Sequence, residues 1–416
     1  MSMARFMYSV VLYLLLPFVL LRLLWRARRQ RGYLAHVGER FGYYARPAGG
    51  QVIWVHAVSV GETRAAEPLI RTLREKYPQD RVLLTNMTPT GRETAEALFG
   101  ADVVNAYLPY DHPGAVKRFL NHFQPRIGLL METEIWPNLI QACRVSGLPI
   151  YLVNARLSEK SFARYRRFPS LSRETISGLT AIAAQSEDDA RRLAALGAAS
   201  MQVTGSIKFD VSPPPAQLER GRLWRGEFGA ERPVLLAAST REGEEALLFE
   251  VLARIEVPEL LTVVVPRHPQ RFDEVAHMLQ ARGVAFQRRS DGTAVSASTR
   301  VLLGDSMGEM FAYYAASDVV FVGGSLLPFG SHNLIEPCAA GKPVLVGPST
   351  YNFSEAAELA VQAGAAIQVP DAATLAQEAG RLLRDAAAAE RMSRAALAFA
   401  NTHRGATAKV MEMLRL

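Results

Sequence analysis

Cysteine is scarce: 416 residues hold two, Cys143 and Cys338, far apart in apolar helical stretches. They form no C-x-x-C pair and no metal-ligand spacing, so the body is expected in a reducing compartment. Asp-x-Asp motifs and His clusters are also missing, so neither a metal nor a cofactor is expected. Acids are nearly absent from the first 40 positions, where Glu39 alone faces Arg5, Arg22, Arg26, Arg28, Arg29, Arg31 and Arg40. That segment carries six of the seven net positive charges, which leaves the rest of the chain close to neutral. A basic collar on a neutral body argues against nucleic acid and for anionic phospholipid headgroups. There is no short internal repeat, and Ala386–Ala389 reads as ordinary helix.

One long apolar run is present, Phe6 to Leu21, broken only by Ser9 and Pro17. At about 1.5 Å per residue it is marginal for a hydrocarbon layer of about 30 Å. Leu23, Leu24 and Trp25 extend it if Arg22 snorkels to the interface. A cleaved signal peptide fits poorly, because the positive charge follows the run and no small-residue cleavage site does. The expectation is a membrane-anchor helix that spans or dips into the bilayer; a buried helix of the first domain is the alternative. The arginines after the run place the body on the cytoplasmic side.

Short β-rich apolar runs then alternate with helical patterns. Strands are expected at Val52–His56, Val82–Asn86, Val103–Tyr107, Ile127–Met131, Ile150–Asn154 and Ala181–Ala184. After the Pro-rich Ser212–Pro215 the alternation restarts at Val234–Ala238, Leu261–Val265, Val301–Gly304, Val319–Val322 and Val344–Gly347. Such alternation is the signature of βαβ units on parallel sheets, so the fold class is α/β with two Rossmann-like domains facing a cleft. The expected boundaries are an anchor and collar at 1–31, a first domain at 32–211, a linker at 212–230 and a second domain at 231–416. Ligands should meet the loops at the carboxyl ends of the strands.

Several such loops carry chemistry. After Val319–Val322 come Gly323 and Gly324, which let a ligand approach the backbone, and then a helix beginning near Asn333. Its N-terminus would suit a phosphate, and Glu336 in the first turn could accept two ribose hydroxyls; a plain strand–helix turn is the bland alternative. Arg267 and His268 follow Leu261–Val265, with Arg267 supplying a planar fork for phosphate oxygens. Asp305–Glu309 follows Val301–Gly304, with Gly308 exposing backbone N–H groups, or else serves as a turn and cap. In the first half, Glu62 opens a helix after Val52–His56, where the helix N-terminus should keep it ionised as a base or where it merely pairs with the dipole. Glu132 and Glu134 follow Ile127–Met131 and could bind sugar hydroxyls, stabilise positive charge or cap a helix. Lys208 reads equally as a phosphate ligand and a surface lysine.

In order, S-V-G-E at Glu62, M-E-T-E-I-W-P, N-A-R-L-S at 154–158, T-G-S-I-K-F-D, V-P-R-H-P, G-D-S-M-G-E and G-S-H-N-L-I-E-P closely resemble the 3-deoxy-D-manno-octulosonic acid (Kdo) transferases of Gram-negative bacteria. The resemblance covers essentially the whole chain, anchor included, and Ser331 stands where the family pattern would place a second glycine. It implies a GT-B fold and inverting transfer of Kdo from CMP-Kdo to the lipid A precursor at the cytoplasmic face of the inner membrane. It makes Glu62 the general base and Glu132 and Lys208 transition-state stabilisers. It places Arg267, His268, Met307, Gly308, Glu309, Asn333, Leu334, Ile335 and Glu336 around CMP, and the loop reading adds Gly324 and Glu134 as substrate-binding residues. The alternatives are a GT-B nucleotide-sugar epimerase, a UDP-sugar transferase, or a non-catalytic membrane-bound sugar-nucleotide sensor that would need no base at Glu62.

Overall fold

The computed structural model describes residues 2–29, 31–45, 49–252 and 254–414; the side chains of Arg29 and Arg31 lie outside the described residues. The chain divides into two compact units, 1–210 with 404–416, and 211–403.

Unit 1 is built on seven strands: β1 (Val52–His56), β2 (Arg81–Asn86), β3 (Val104–Tyr107), β4 (Pro125–Met131), β5 (Ile150–Ala155), β6 (Ala181–Ala184) and β7 (Met201–Val203). They lie in the order β3-β2-β1-β4-β5-β6-β7, and every pairing is parallel. A parallel sheet covered on both faces needs strands that are apolar on both faces. All five residues of β1 are buried: Ile53 and Val55 join a cluster with Leu69, Ile70 and Leu73, and Val52 and Trp54 join the opposite one with Phe119. The helix Glu67–Lys76 buries its expected face, Leu69, Ile70 and Leu73.

Unit 2 repeats the plan with β8 (Val234–Thr240), β9 (Leu261–Pro266), β10 (Phe286–Arg288), β11 (Val301–Leu303), β12 (Val319–Val322), β13 (Val344–Val346) and β14 (Ala366–Gln368). The order is β10-β11-β9-β8-β12-β13-β14, again parallel throughout. In each sheet the order reverses once, between β1 and β4 and between β8 and β12. At such a reversal the crossovers leave on opposite faces, so a crevice opens at the carboxyl ends of the two strands. Glu62, Glu132 and Glu134 follow β1 and β4, while Gly323 and Gly324 follow β12.

Two boundaries differ from the sequence reading. The stretch expected as a linker at 212–230 contains a 14-residue helix, Pro215–Phe228. Its prolines start a helix instead of breaking one, since proline suits the first helical turn. It packs closely on the helix Met310–Ala316, with the Trp224 and Tyr313 rings tilted against each other at 4.9 Å. The last segment, expected in the second domain, belongs to unit 1. There the helix Ala406–Met413 adds Ala406, Val410 and Met411 to the core of Ile53 and Leu69. Asp210 fastens it by accepting from the backbone N–H groups of Gly405, at 2.6 Å, and of Thr407.

The helix expected at the N-terminus is α1 (Met3–Arg29), long and apolar enough to cross a membrane. Two members of the expected collar serve unit 1 instead. Arg40 is 2% exposed, lies 4.1 Å over the Tyr107 ring and donates to the Met87 carbonyl at 3.0 Å. Arg5 is 9% exposed and pairs with Glu174 at 3.2 Å.

Candidate active site

In unit 1, β1 ends at His56 and the chain enters the six-residue helix Val60–Ala65. Glu62, half-buried, turns back so that its Oε2 accepts the Val58 N–H at 2.8 Å. The expectation that a helix N-terminus keeps this carboxylate ionised is not met, because burial dominates. Desolvation pushes its pKa up to about 8; the Val58 N–H opposes this, Glu134 and Glu132 add to it, and Lys208 partly offsets it. The result is a base far stronger than an ordinary carboxylate.

Glu132 is the first residue after β4 and adopts the left-handed region, φ 53°. A non-glycine residue there is strained and must be held by its surroundings. Its N–H donates to the Val153 carbonyl at 3.0 Å, and its carboxylate lies 3.0 Å from the Lys208 ammonium and 3.8 Å from the Arg156 guanidinium. Lys208 is thus a paired lysine within the carboxylate group, not a solvated surface residue. Asn154 fixes its position: also left-handed at φ 53°, it accepts the Ile207 N–H at 3.0 Å through its side chain. Its own carbonyl accepts from Gln185 at 2.8 Å. Glu134 accepts the Trp136 indole N–H at 2.6 Å, and burial raises its pKa.

His56 was not among the residues expected at the site. It is fully buried, and desolvation lowers its pKa to about 3, so the ring is neutral. Its Nδ1 lies 3.0 Å from the Thr85 carbonyl and 2.9 Å from the Thr85 hydroxyl, while its Nε2 makes no hydrogen bond. That Nε2 lies 3.9 Å from the Glu134 carboxylate, a contact with no charge on the histidine side. The one signal in the sequence was a histidine ending an otherwise apolar strand.

In unit 2, Gly323 passes so close to β8 that an added Cβ would lie 2.6 Å from the Ser239 carbonyl oxygen. Gly324 follows at φ 71°, a conformation that favours glycine. The organiser of this turn is Glu244, fully buried and also absent from the expected set. One carboxylate oxygen accepts the N–H groups of Arg241 at 2.9 Å and Gly324 at 2.6 Å; the other accepts those of Ser325 and Leu326, each at 3.0 Å. The N–H groups of this glycine turn are therefore filled by the protein's own carboxylate. Ser331 takes φ 67°, the glycine-like conformation that the family pattern implied for its position.

The helix expected to begin near Asn333 begins at Ile335 and has five residues. Asn333 itself accepts the Ile335 N–H at 2.9 Å, so one donor of this terminus is already filled. Leu334 and Ile335 are fully buried and can offer a ligand only backbone. Asn333 also donates to one oxygen of Glu336 at 3.2 Å, and the Tyr314 hydroxyl to the other at 3.4 Å. Arg267, half-buried at the end of β9, is near enough to Tyr314 for its charge to counter the strong rise in the phenol's pKa that burial and Glu336 produce. His268 is exposed; partial desolvation and then Arg241, Arg267 and Arg271 lower its pKa.

After β11, Met307 is exposed, and the Gly308 carbonyl accepts from Gln217 at 2.8 Å. Glu309 pairs with Arg220 at 2.6 Å, so both are tied to the helix Pro215–Phe228. Because β11 pairs with β9, this loop neighbours that of Arg267. Arg267, Asn333 and Glu336 come together, whereas Glu309 is already engaged. Among the described residues no group of three or more His, Cys, Asp or Glu gathers as metal ligands.

Residues 35–211 match the model of the 3-deoxy-D-manno-octulosonic-acid transferase (kdotransferase) family, and residues 280–399 that of glycosyl transferases group 1. The 3-deoxy-D-manno-octulosonic acid transferase of Bordetella pertussis is 46% identical, over 99% of each chain. That of Haemophilus influenzae is 36% identical, over 99% of this chain and 98% of the other. The solved UDP-GlcNAc 2-epimerase of Neisseria meningitidis, 17% identical with a TM-score of 0.57 over 87% of this chain and 98% of its own, shares the two-Rossmann fold alone. Motif order, paired parallel sheets and full-length identity agree: this chain belongs to the 3-deoxy-D-manno-octulosonic acid transferase family, glycosyltransferases of the GT-B fold.

Proposed function

We propose that this enzyme moves Kdo from CMP-Kdo to the lipid A precursor at the cytoplasmic face of a Gram-negative inner membrane, inverting the anomeric carbon. One observation carries the proposal beyond family membership: a carboxylate with a pKa near 8 beside a Glu132–Lys208 ion pair at the β1/β4 crevice. A sugar hydroxyl is a poor nucleophile until its proton is removed, and a base works best with a pKa near the working pH. Glu62 takes that proton as the hydroxyl oxygen bonds to the anomeric carbon. The bond to CMP breaks with its electron pair leaving on the phosphate, through an oxocarbenium-like state. Lys208 supplies positive charge for the departing phosphate, and Glu132 holds Lys208 and offsets positive charge on the sugar. In unit 2, Arg267 takes the phosphate and Glu336 the ribose hydroxyls. His268, Met307, Gly308 and Gly324 line the nucleotide, and Glu134 orients a substrate hydroxyl.

CMP release by the purified full chain tests this reading. It is expected only when CMP-Kdo and the lipid acceptor are both present. Lys208→Met should slow it by about 10²–10³, the usual loss for one electrostatic stabiliser, and should weaken CMP binding as well. Interconversion of a UDP-sugar without acceptor would favour an epimerase, and tight CMP-Kdo binding without release would favour a sensor. Near-parental turnover of Lys208→Met would remove that residue from the chemistry.

A further inference from the structure

We infer that α1 lies in the plane of the membrane surface, seated on unit 1 along one face and sunk among acyl chains on the other, and does not cross the bilayer. The inference rests on the membrane attachment proposed above and specifies its geometry.

Burial along α1 follows a helical stripe. Ser9, Leu12, Leu16, Val19, Leu23 and Ala27, three or four residues apart, are buried or half-buried over nearly the whole length of the helix. Residues between them face outward, among them Leu14 (75% exposed), Phe18, Leu21 and Trp25. A helix crossing a bilayer perpendicular to a globular body would touch that body at one end only. The N-terminal half is moreover tied to unit 1 by polar contacts that have no place in hydrocarbon. Arg5 pairs with Glu174 at 3.2 Å, the Tyr8 hydroxyl donates to Asp111 at 3.0 Å, and Ser9 donates to Asn138 at 3.1 Å. The Tyr13 ring packs 4.7 Å from the imidazole of His112.

What remains beyond Tyr13, up to Trp25, is roughly 18 Å of helix at 1.5 Å per residue, well short of a hydrocarbon layer of about 30 Å. The far end also returns to unit 1. Arg26 lies 5.5 Å over the Tyr33 ring, and the chain continues to Glu39, which accepts from Arg92 and from the Tyr107 N–H, each at 2.8 Å. Both ends of α1 are therefore on one side.

The charge pattern names the occupant of the outer face. Arg22 and Arg28 are exposed at its C-terminal end. The helices that α1 packs on, Pro137–Val145 and Pro169–Ile176, add exposed Val145 and the preceding Phe168, itself next to exposed Arg166 and Arg167. Apolar side chains bordered by arginines match the headgroup–acyl boundary of an anionic leaflet.

Thiol labelling of the full chain in its membranes decides the geometry, with little background because Cys143 and Cys338 are both buried. Met3→Cys, at an exposed position, is compared with Lys160→Cys on the surface of unit 1. An impermeant maleimide should label both variants from the same side of the membrane, in inverted vesicles but not in intact spheroplasts. Labelling of Met3→Cys from the opposite side would establish a spanning helix and overturn the proposal. In co-sedimentation with phosphatidylethanolamine vesicles containing phosphatidylglycerol, the triple change Leu14→Glu, Phe18→Glu, Leu21→Glu should lower binding by about tenfold or more. Unchanged binding with native circular dichroism would show that the outer face does not meet lipid. Failure of the parent to sediment would instead refute the membrane attachment itself.

Discussion

Glu62→Gln should turn over on the order of 10²–10⁴ times more slowly than the parent, the usual worth of general-base assistance. The substitution is nearly isosteric, and a glutamine can still accept the Val58 N–H through its amide oxygen, so the fold should be kept. CMP affinity should be unchanged, because Arg267 and Glu336 belong to unit 2. The parent's rate should rise with pH through about 8, as the base loses its proton, and this limb should vanish in the variant. Stability runs the other way. The folded pKa is raised from 4.5 to about 8, so this group favours the fold most below 4.5, and the advantage is lost as pH rises through about 8. Above that pH the parent holds a half-buried charge and the glutamine variant does not, so the Tm difference should shift in the variant's favour. Parental turnover in Glu62→Gln would move the base to Glu132 or Glu134.

Glu244→Gln should destabilise unit 2 by more than about 3 kcal/mol, because a buried acceptor of four backbone N–H groups is exchanged for one that directs an NH₂ at half of them. A Tm several degrees lower is expected, together with loss of CMP binding as the Gly323–Leu326 turn loses its centre. Glu245→Gln is the control. That residue is equally buried but serves Thr240 and Arg271, so its loss should lower stability with the turn intact. A Glu244→Gln protein with parental Tm and CMP affinity would show that the turn holds without its carboxylate.

Much of the fold was legible because parallel strands buried on both faces are continuous apolar runs; β1, β6 and β12 have the boundaries that their runs suggest. Three strands were not legible: β7, β10 and β14, each three residues long and near or at a sheet edge, where half-exposure removes the apolar signal. The carboxylates of the first site could be read because each lies in the loop or first helical turn that follows a strand. The role of Glu244 could not, because three of its four partners lie about eighty positions away and all four are backbone groups that no side-chain pattern announces. Local signals also misled: acid at a helix start suggested an ionised Glu62, but burial decides its proton. Arg40 counted as a collar charge by position, yet it is stacked on Tyr107 inside unit 1.

The most direct measurement is the mass of the lipid product after the full-length protein meets CMP-Kdo and lipid A precursor. The product should be heavier by Kdo, with one CMP released for each Kdo added, and Glu62→Gln should give almost none of either despite parental CMP binding. A parent that binds CMP-Kdo yet leaves the lipid mass unchanged would mean that this chain does not transfer Kdo to that lipid.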